Sequence, residues 1–373
     1  MEKILVLQTW GIGDMIMATP MLSSLRKQVP HAKITVIAGY TVSAQAIAGT
    51  LADEIRLIVP GKTIPGNIVP RYWLPAMVRF RREGFGAALI CTRMSPRIAP
   101  LLRFMAGIKI VAGDSPSPKR MGYTHWCPVQ PECHRVLSNM NILRTLFPEA
   151  EPGPLSFSIS KESYTLADRY WMEAGLQGRP VLGIHPGSDP GEGKDKRPHP
   201  ETLRLIIQSL LHAFPESRVV LLFGPLETDL IPIFYGMDKR VICVRDLPVG
   251  VVGALISKMK AMLSGDTALG HIAAALGIPT MTLAGPTMVS STRPWSDKNL
   301  IVKTTEALPC MPCYDTPLYG NCPHGVRCMR GISVTDVLDK LSQRFLAAQN
   351  GHWSDPSLNR SFPASPKISI NDL

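Results

Sequence analysis

The feature that most constrains this chain is an alternation, run through twice, of short apolar segments and longer stretches with helical spacing. Residues 3–9 form an apolar run that ends in the turn Trp10-Gly11-Ile12-Gly13 and passes into an amphipathic stretch over 14–28, which Pro20 is expected to break or bend. Strand-type runs follow at 33–37, 55–59, 87–91 and 109–111, with a helical stretch near 42–49. Strands separated by helices pair in parallel, and the crossovers place helices on both faces of the sheet. The expected class is α/β, with doubly wound sheets.

Between Ser115 and Pro154 turn residues dominate, a helical stretch at 161–173 leads to Gly175 and Pro180, and the join between domains is expected in this region. A second series then begins: strands at 181–184, 218–223, 261–264 and 280–283, and helices at 201–214, 255–260 and 267–276. A last helix around 335–348 precedes a tail rich in Ser, Pro and Asn. The organisation read from this is a Rossmann-like domain over 1–160, a second over 175–349, and a disordered tail over 350–373. A length of 373 residues suffices for two cores, and 45% hydrophobic against 18% charged residues excludes a chain disordered throughout.

Forty Lys and Arg against 29 Asp and Glu give a net charge of +11, which favours an anionic partner: nucleic acid, phospholipid surface or phosphorylated substrate. No run approaches the roughly 20 apolar residues that span a bilayer, and Ile4 to Leu7 is too short for a signal-peptide core, so a cytoplasmic protein is expected. The segment 71–82 interleaves Tyr72, Trp73, Leu74, Met77, Val78 and Phe80 with four arginines. It suits either a surface seated among headgroups or a solvated helix face.

Three turns carry candidate chemistry. Gly11-Ile12-Gly13-Asp14 sits where a parallel sheet presents its ligand, at the carboxyl end of the first strand. Ile16 replaces the third glycine of a dinucleotide fingerprint, and Gly39-Tyr40 stand where an acidic residue would end the second strand. Both disfavour an NAD-dependent oxidoreductase. Asp14 has two readings, a helix cap or a base that removes a proton from a substrate hydroxyl. His185-Pro186-Gly187-Ser188, followed by Lys194-Asp195-Lys196-Arg197, fits a phosphate site or a basic surface loop. Ser264-Gly265-Asp266-Thr267-Ala268 leads into the helix carrying His271, so a cap and a core histidine compete with an anion site at a positive helix end. No Asp-X-Asp pair, of the kind that clamps a diphosphate through a metal, occurs anywhere in the chain.

Taken together, these segments, with Thr19-Pro20, the run from Asp266 to Pro279 and Gly285-Pro286-Thr287, resemble the bacterial heptosyltransferases of glycosyltransferase family 9 over roughly residues 1–345. The resemblance implies a GT-B architecture: an amino-terminal acceptor domain and a carboxyl-terminal ADP-sugar domain facing across a cleft. Asp14 then matches the general base and Lys196 the lysine near the donor phosphates. Glu227, in Phe223-Gly224-Pro225-Leu226-Glu227, matches the ribose-binding glutamate. Ser188, Asp266, Thr267, Ala268 and His271 fall on the loops that hold diphosphate and sugar. The chain departs from the family where Lys196-Arg197-Pro198-His199-Pro200 replaces Lys, any residue, Trp and Pro, and where Ala268 replaces a common Gly.

The implied reaction is transfer of a heptose or related sugar from an ADP-sugar to an anionic lipopolysaccharide core acceptor. No cofactor or catalytic metal is required, and nucleic acid is not a partner. A base on one side and a leaving diphosphate on the other fit one in-line displacement, hence inversion. The enzyme is expected in the cytoplasm, peripheral on the inner face of the inner membrane. A non-catalytic nucleotide-sugar-binding protein on the same fold remains the alternative. Four thiols cluster at Cys310, Cys313, Cys322 and Cys328, with His324 beside them. They read either as plain reduced thiols or as a structural zinc site that staples a loop, similar to segments some family members carry, with a redox role behind both.

Overall fold

A computed structural model describes residues 2–49, 51–58, 70–95, 97–116, 121–188 and 193–349; the expected tail, 350–373, lies outside them. The chain divides after Ser158 into two compact units.

The first unit is built on six parallel strands: β1 (Lys3–Gln8), β2 (Lys33–Ala38), β3 (Glu54–Leu57), β4 (Ala87–Ile90), β5 (Ile110–Ser115) and β6 (His125–Pro128), in the order β3-β2-β1-β4-β5-β6. β1 is central, pairing Ile4 with Ile34 on one side and with Ala87 on the other. Its side chains alternate between two cores, Ile4 and Val6 in one, Leu5 and Leu7 in the other. Burial on both faces is what a continuous apolar run in a parallel sheet signifies. The Ile12–Gln28 and Arg135–Arg144 helices supply Met15, Leu22, Leu25, Met140 and Leu143 to the first core. The Pro70–Glu83 helix supplies Trp73, Met77 and Phe80 to the second.

Pro20 neither breaks nor ends its helix, which is assigned without interruption from Ile12 to Gln28. A proline cannot donate to the carbonyl four residues back. Here the Thr19 hydroxyl donates to that Ile16 carbonyl instead, at 2.7 Å.

The second unit repeats the plan with β7 (Val181–His185), β8 (Arg218–Leu222), β9 (Val241–Val244), β10 (Ala261–Ser264), β11 (Thr280–Ala284) and β12 (Asn299–Lys303). All pair in parallel, in the order β12-β11-β10-β7-β8-β9. Counted from its own first strand, each sheet reads 3-2-1-4-5-6, so the strand order reverses beside β1 and again beside β7, where such sheets bind ligands.

Two expectations change. The stretch from Ser115 to Pro154 is more than turns: it holds β6 and the Arg135–Arg144 helix, which finish the first sheet and cover it, and the chain divides only after them, at Ser158. The aromatic residues Trp73 and Phe80 of the segment 71–82 are buried in the core rather than presented to headgroups, leaving Leu74 and Val78 exposed.

Candidate active-site loops

In the first unit β1 ends at Gln8 and the chain turns into a helix whose N-cap is Gly11, so the cap residue has no side chain to close it. Asp14 lies in the first turn, where unpaired N–H groups favour a negative charge. Its carboxylate makes no hydrogen bond among the described residues, which leaves the capping role without geometry. The Gln8 side chain braces the turn, donating to the Asp14 carbonyl at 3.5 Å and accepting the Trp10 N–H at 3.2 Å. The Trp10 indole donates to the Arg93 carbonyl, and the Arg93 guanidinium lies 5.1 Å from the centre of its ring. Arg93 itself holds φ at +70°, a conformation most side chains avoid.

A second carboxylate, Asp114, comes to the same end of the sheet and was not singled out from the sequence. It is buried, accepts the Thr92 hydroxyl at 2.6 Å, and is raised above the usual carboxylate range chiefly by burial. The Cys91 thiol is pushed up by burial and then by Asp114 and Asp14, so both carboxylates act on the end of β4.

In the second unit Ser188, Lys196, Glu227, Asp266, Thr267, Ala268 and His271 lie on loops and helix starts that follow β7, β8 and β10. Glu227 is buried. Its carboxylate accepts the Gly224 N–H and lies 3.5 Å from His185 Nε2, while His185 Nδ1 donates to the Leu222 carbonyl at 2.8 Å. A Cβ at Gly187 would stand 2.3 Å from the Glu227 carboxyl carbon, so glycine is what lets this carboxylate approach the His185 loop.

The basic segment is not a free surface loop. The Lys194–Lys196 turn buries Asp195, and Arg197 is tied down by its Nε donating to the Ser188 carbonyl and its Nη1 pairing with Asp229 at 2.7 Å. The Lys196 backbone presses on Gly265, whose added Cβ would fall 2.7 Å from the Lys196 carbonyl oxygen. This brings the basic turn against the Asp266 loop. Asp266 is buried, accepts the Thr292 hydroxyl at 2.6 Å and lies 3.9 Å from His271 Nε2. Thr267 caps the Ala268–Ala275 helix through its backbone, so Ala268 is the first helical residue and the helix start opens beside Asp266.

The cysteine-rich segment also belongs to this neighbourhood, which its spacing does not reveal. The Cys313 and Tyr314 N–H groups both donate to the Pro286 carbonyl, and the Gly320 N–H donates to Asp195 Oδ2 at 2.9 Å. The Lys196 ammonium lies 4.8 Å from the centre of the Tyr314 ring, which packs edge-on against Tyr319. Burial, with the other thiols adding to it, pushes Cys328 up to about 11 and also raises Cys313. Among the described residues, no group of three or more His, Cys, Asp or Glu side chains is placed to hold a metal ion. Of the four thiols, Cys313 and Cys328 are buried and Cys310 and Cys322 are half-buried.

Comparison with known proteins places these loops in context. The family model described as glycosyltransferase family 9 (heptosyltransferase) matches residues 97–319. The lipopolysaccharide heptosyltransferase 2 of Escherichia coli is 25% identical over 323 residues, 81% of this chain and 88% of that protein. The lipooligosaccharide heptosyltransferase 2 of Haemophilus influenzae is 27% identical over 178 residues, 44% of this chain and about half (49%) of that relative. The crystal structure of a family 9 glycosyl transferase from Veillonella parvula superposes with a TM-score of 0.75 at 18% identity, covering 93% of this chain and 98% of that one.

Proposed function

Because the chain belongs to glycosyltransferase family 9 (heptosyltransferase), we propose that it transfers a heptose, with inversion, from ADP-heptose to a hydroxyl of a phosphorylated lipopolysaccharide core acceptor. The Asp14 carboxylate takes the proton of that hydroxyl as its oxygen attacks the anomeric carbon. The bond to the donor phosphate breaks and ADP leaves. Charge growing on the diphosphate is met by Lys196 and by the N–H groups at the Thr267–Ala268 helix start, fixed before reaction and needing no reorganisation. Glu227 accepts the ribose hydroxyls. Ser188, Asp266 and His271 hold the rest of the donor.

The observation that carries this reading is the convergence of the Lys196 turn on the Asp266 loop and helix start, with Gly265 as the close contact. An ammonium, unpaired N–H groups and buried carboxylates at the switch point of a parallel sheet suit an anionic nucleotide joined to a polyol. The names of the Escherichia coli and Haemophilus influenzae relatives, both heptosyltransferases, support a heptose as the sugar and a lipopolysaccharide-type acceptor. Purified protein given ADP-heptose and heptose-deficient lipopolysaccharide should release ADP in step with acceptor consumption. Turnover with a UDP-sugar in place of ADP-heptose would overturn the assignment.

The acceptor is part of a membrane, and the first unit has a face suited to its surface. Among the described residues no helix is long and apolar enough to cross a membrane. Leu74, Val78 and Arg81 follow one stripe of the Pro70–Glu83 helix, and Arg81 donates to the Met105 carbonyl, beside exposed Phe104. An apolar stripe bordered by arginines fits an anionic leaflet, and we place the working enzyme there, on the cytoplasmic side. Co-sedimentation with vesicles should require anionic lipid and fall with salt; binding indifferent to both would count against it.

A further inference from the structure

Among the described residues, three hydroxyl groups of the second unit are buried without a hydrogen-bond partner: Thr267 Oγ1, Thr287 Oγ1 and the Tyr319 phenol. An unpaired buried polar group gives up its hydration with nothing in return, so each one in a folded protein calls for a reason. These three share a neighbourhood. Thr267 adjoins Asp266. Thr287 is 7% exposed and lies between Pro286, whose carbonyl anchors Cys313 and Tyr314, and Met288, whose carbonyl accepts from the same Thr292 hydroxyl that binds Asp266. Tyr319 is carried in by the cysteine-rich segment, pinned at Gly320 to Asp195. Its phenol is held well above its ordinary range by burial, then by Tyr314, Asp195, Cys313 and Asp266.

The surrounding charges identify the ligand class. Asp195 and Asp266 both act on Tyr319, and two carboxylates repel a diphosphate. A polyhydroxylated group is the opposite case, since its hydroxyls donate to Asp266 and accept from Thr and Tyr hydroxyls in turn. The groups that attract an anion, the Lys196 ammonium over the Tyr314 ring and the helix start at Thr267, adjoin these hydroxyls, as a diphosphate adjoins the glycosyl unit it carries.

We propose that Tyr319 and Thr287 complete the sugar end of the donor site, their hydroxyls binding hydroxyl groups of the glycosyl unit of the ADP-sugar and so selecting which sugar is transferred. This rests on the donor-site reading above. The cysteine-rich segment, on this view, shapes specificity by carrying the Tyr319 phenol to the Asp266 loop. The Tyr319 ring has a separate packing role against Tyr314, at 4.7 Å between ring centres, which phenylalanine keeps.

The test uses the full-length Tyr319→Phe and Thr287→Val variants, each of which removes one hydroxyl at nearly constant volume. Melting temperature without ligand is read alongside calorimetric affinities for ADP and for ADP-heptose. Because neither hydroxyl has a partner among the described residues to lose, the ligand-free melting temperature should stay level or rise. ADP affinity should stay within about twofold of wild type, while ADP-heptose affinity falls about 3- to 10-fold for each variant, the worth of one neutral hydrogen bond. A lower ligand-free melting temperature would show that the hydroxyl serves the fold. Equal weakening toward ADP and ADP-heptose would move the contact to the nucleotide. Unchanged ADP-heptose affinity in both variants, with the wild type binding normally, would overturn this inference alone. A wild type that binds no ADP would overturn the donor-site reading and this inference with it.

Discussion

Strands β1 and β7 hold equivalent places in two sheets of one strand order, yet the turns after them carry different chemistry. After β1 a glycine turn opens a helix with Asp14 in its first turn, a carboxylate with no hydrogen bond among the described residues. After β7 the His185 loop is locked onto Glu227, and the Lys196 turn that follows packs on the Asp266 loop. On the proposed function, the first arrangement leaves one carboxylate to move a proton, and the second holds many groups in advance around an anion and a polyol. A shared topology supplies the place for a ligand, and the side chains at the strand ends decide what happens there.

The comparison breaks most sharply at Asp14. Asp14→Asn should lower turnover about 10²- to 10⁴-fold, the usual worth of a general base, while ADP affinity and melting temperature hold. Turnover within a few-fold of wild type would remove the base from the first unit. Lys196→Ala should act on the other side of the division, weakening ADP by about tenfold or more, as expected for loss of a charge-assisted contact. Equal ADP affinity in calorimetry would show that Lys196 serves Tyr314 alone.

A third measurement concerns stability in the first unit. Buried Arg56 pairs with Glu54 at 2.7 Å and with Glu83 at 2.7 Å, and its hydrogen bond is the leading cause that holds the Glu54 carboxyl down at about 2. A carboxyl lowered by folding adds stability above its unfolded value, about 4.3, and that stability is lost as pH falls toward 2. Calorimetric melting from pH 7 to 2 should show this loss, and Arg56→Met should flatten it while lowering the melting temperature at neutral pH, where two carboxylates lose their partner. An unchanged acid slope in the variant would assign the acid sensitivity to other groups. The smallest expected effect is that of chelator: with no Asp-X-Asp pair in the chain, transfer should survive EDTA. Loss restored by Mg²⁺ without unfolding would put a metal into the reaction.

The central strands of both sheets were legible because burial on two faces demands a continuous apolar run, as in β1, β2, β7, β10 and β11. The strands that the sequence pattern did not disclose, β6, β9 and β12, are all edges. β6 reads His125-Trp126-Cys127-Pro128 and is only partly buried, so nothing in its composition sets it apart from a loop. The aromatic residues of the Pro70–Glu83 helix could not be assigned to core or surface until the neighbouring strands were in place.

By itself, the amino-acid sequence determined the α/β class, the paired sheets and the turns that end β1, β7 and β10, because periodicity, glycine placement and helix starts act over a few residues. Tertiary structure alone decided which of those turns meet. The Gly320 N–H reaches Asp195 across 125 residues of chain, Thr292 reaches Asp266 from a later helix, and Glu227 folds back onto His185. Such contacts are set by the packing of whole strands and helices, which short-range pattern does not encode. That is why a cysteine-rich segment that reads as a loop staple lies instead against the Asp195 and Pro286 loops, carrying Tyr319 with it.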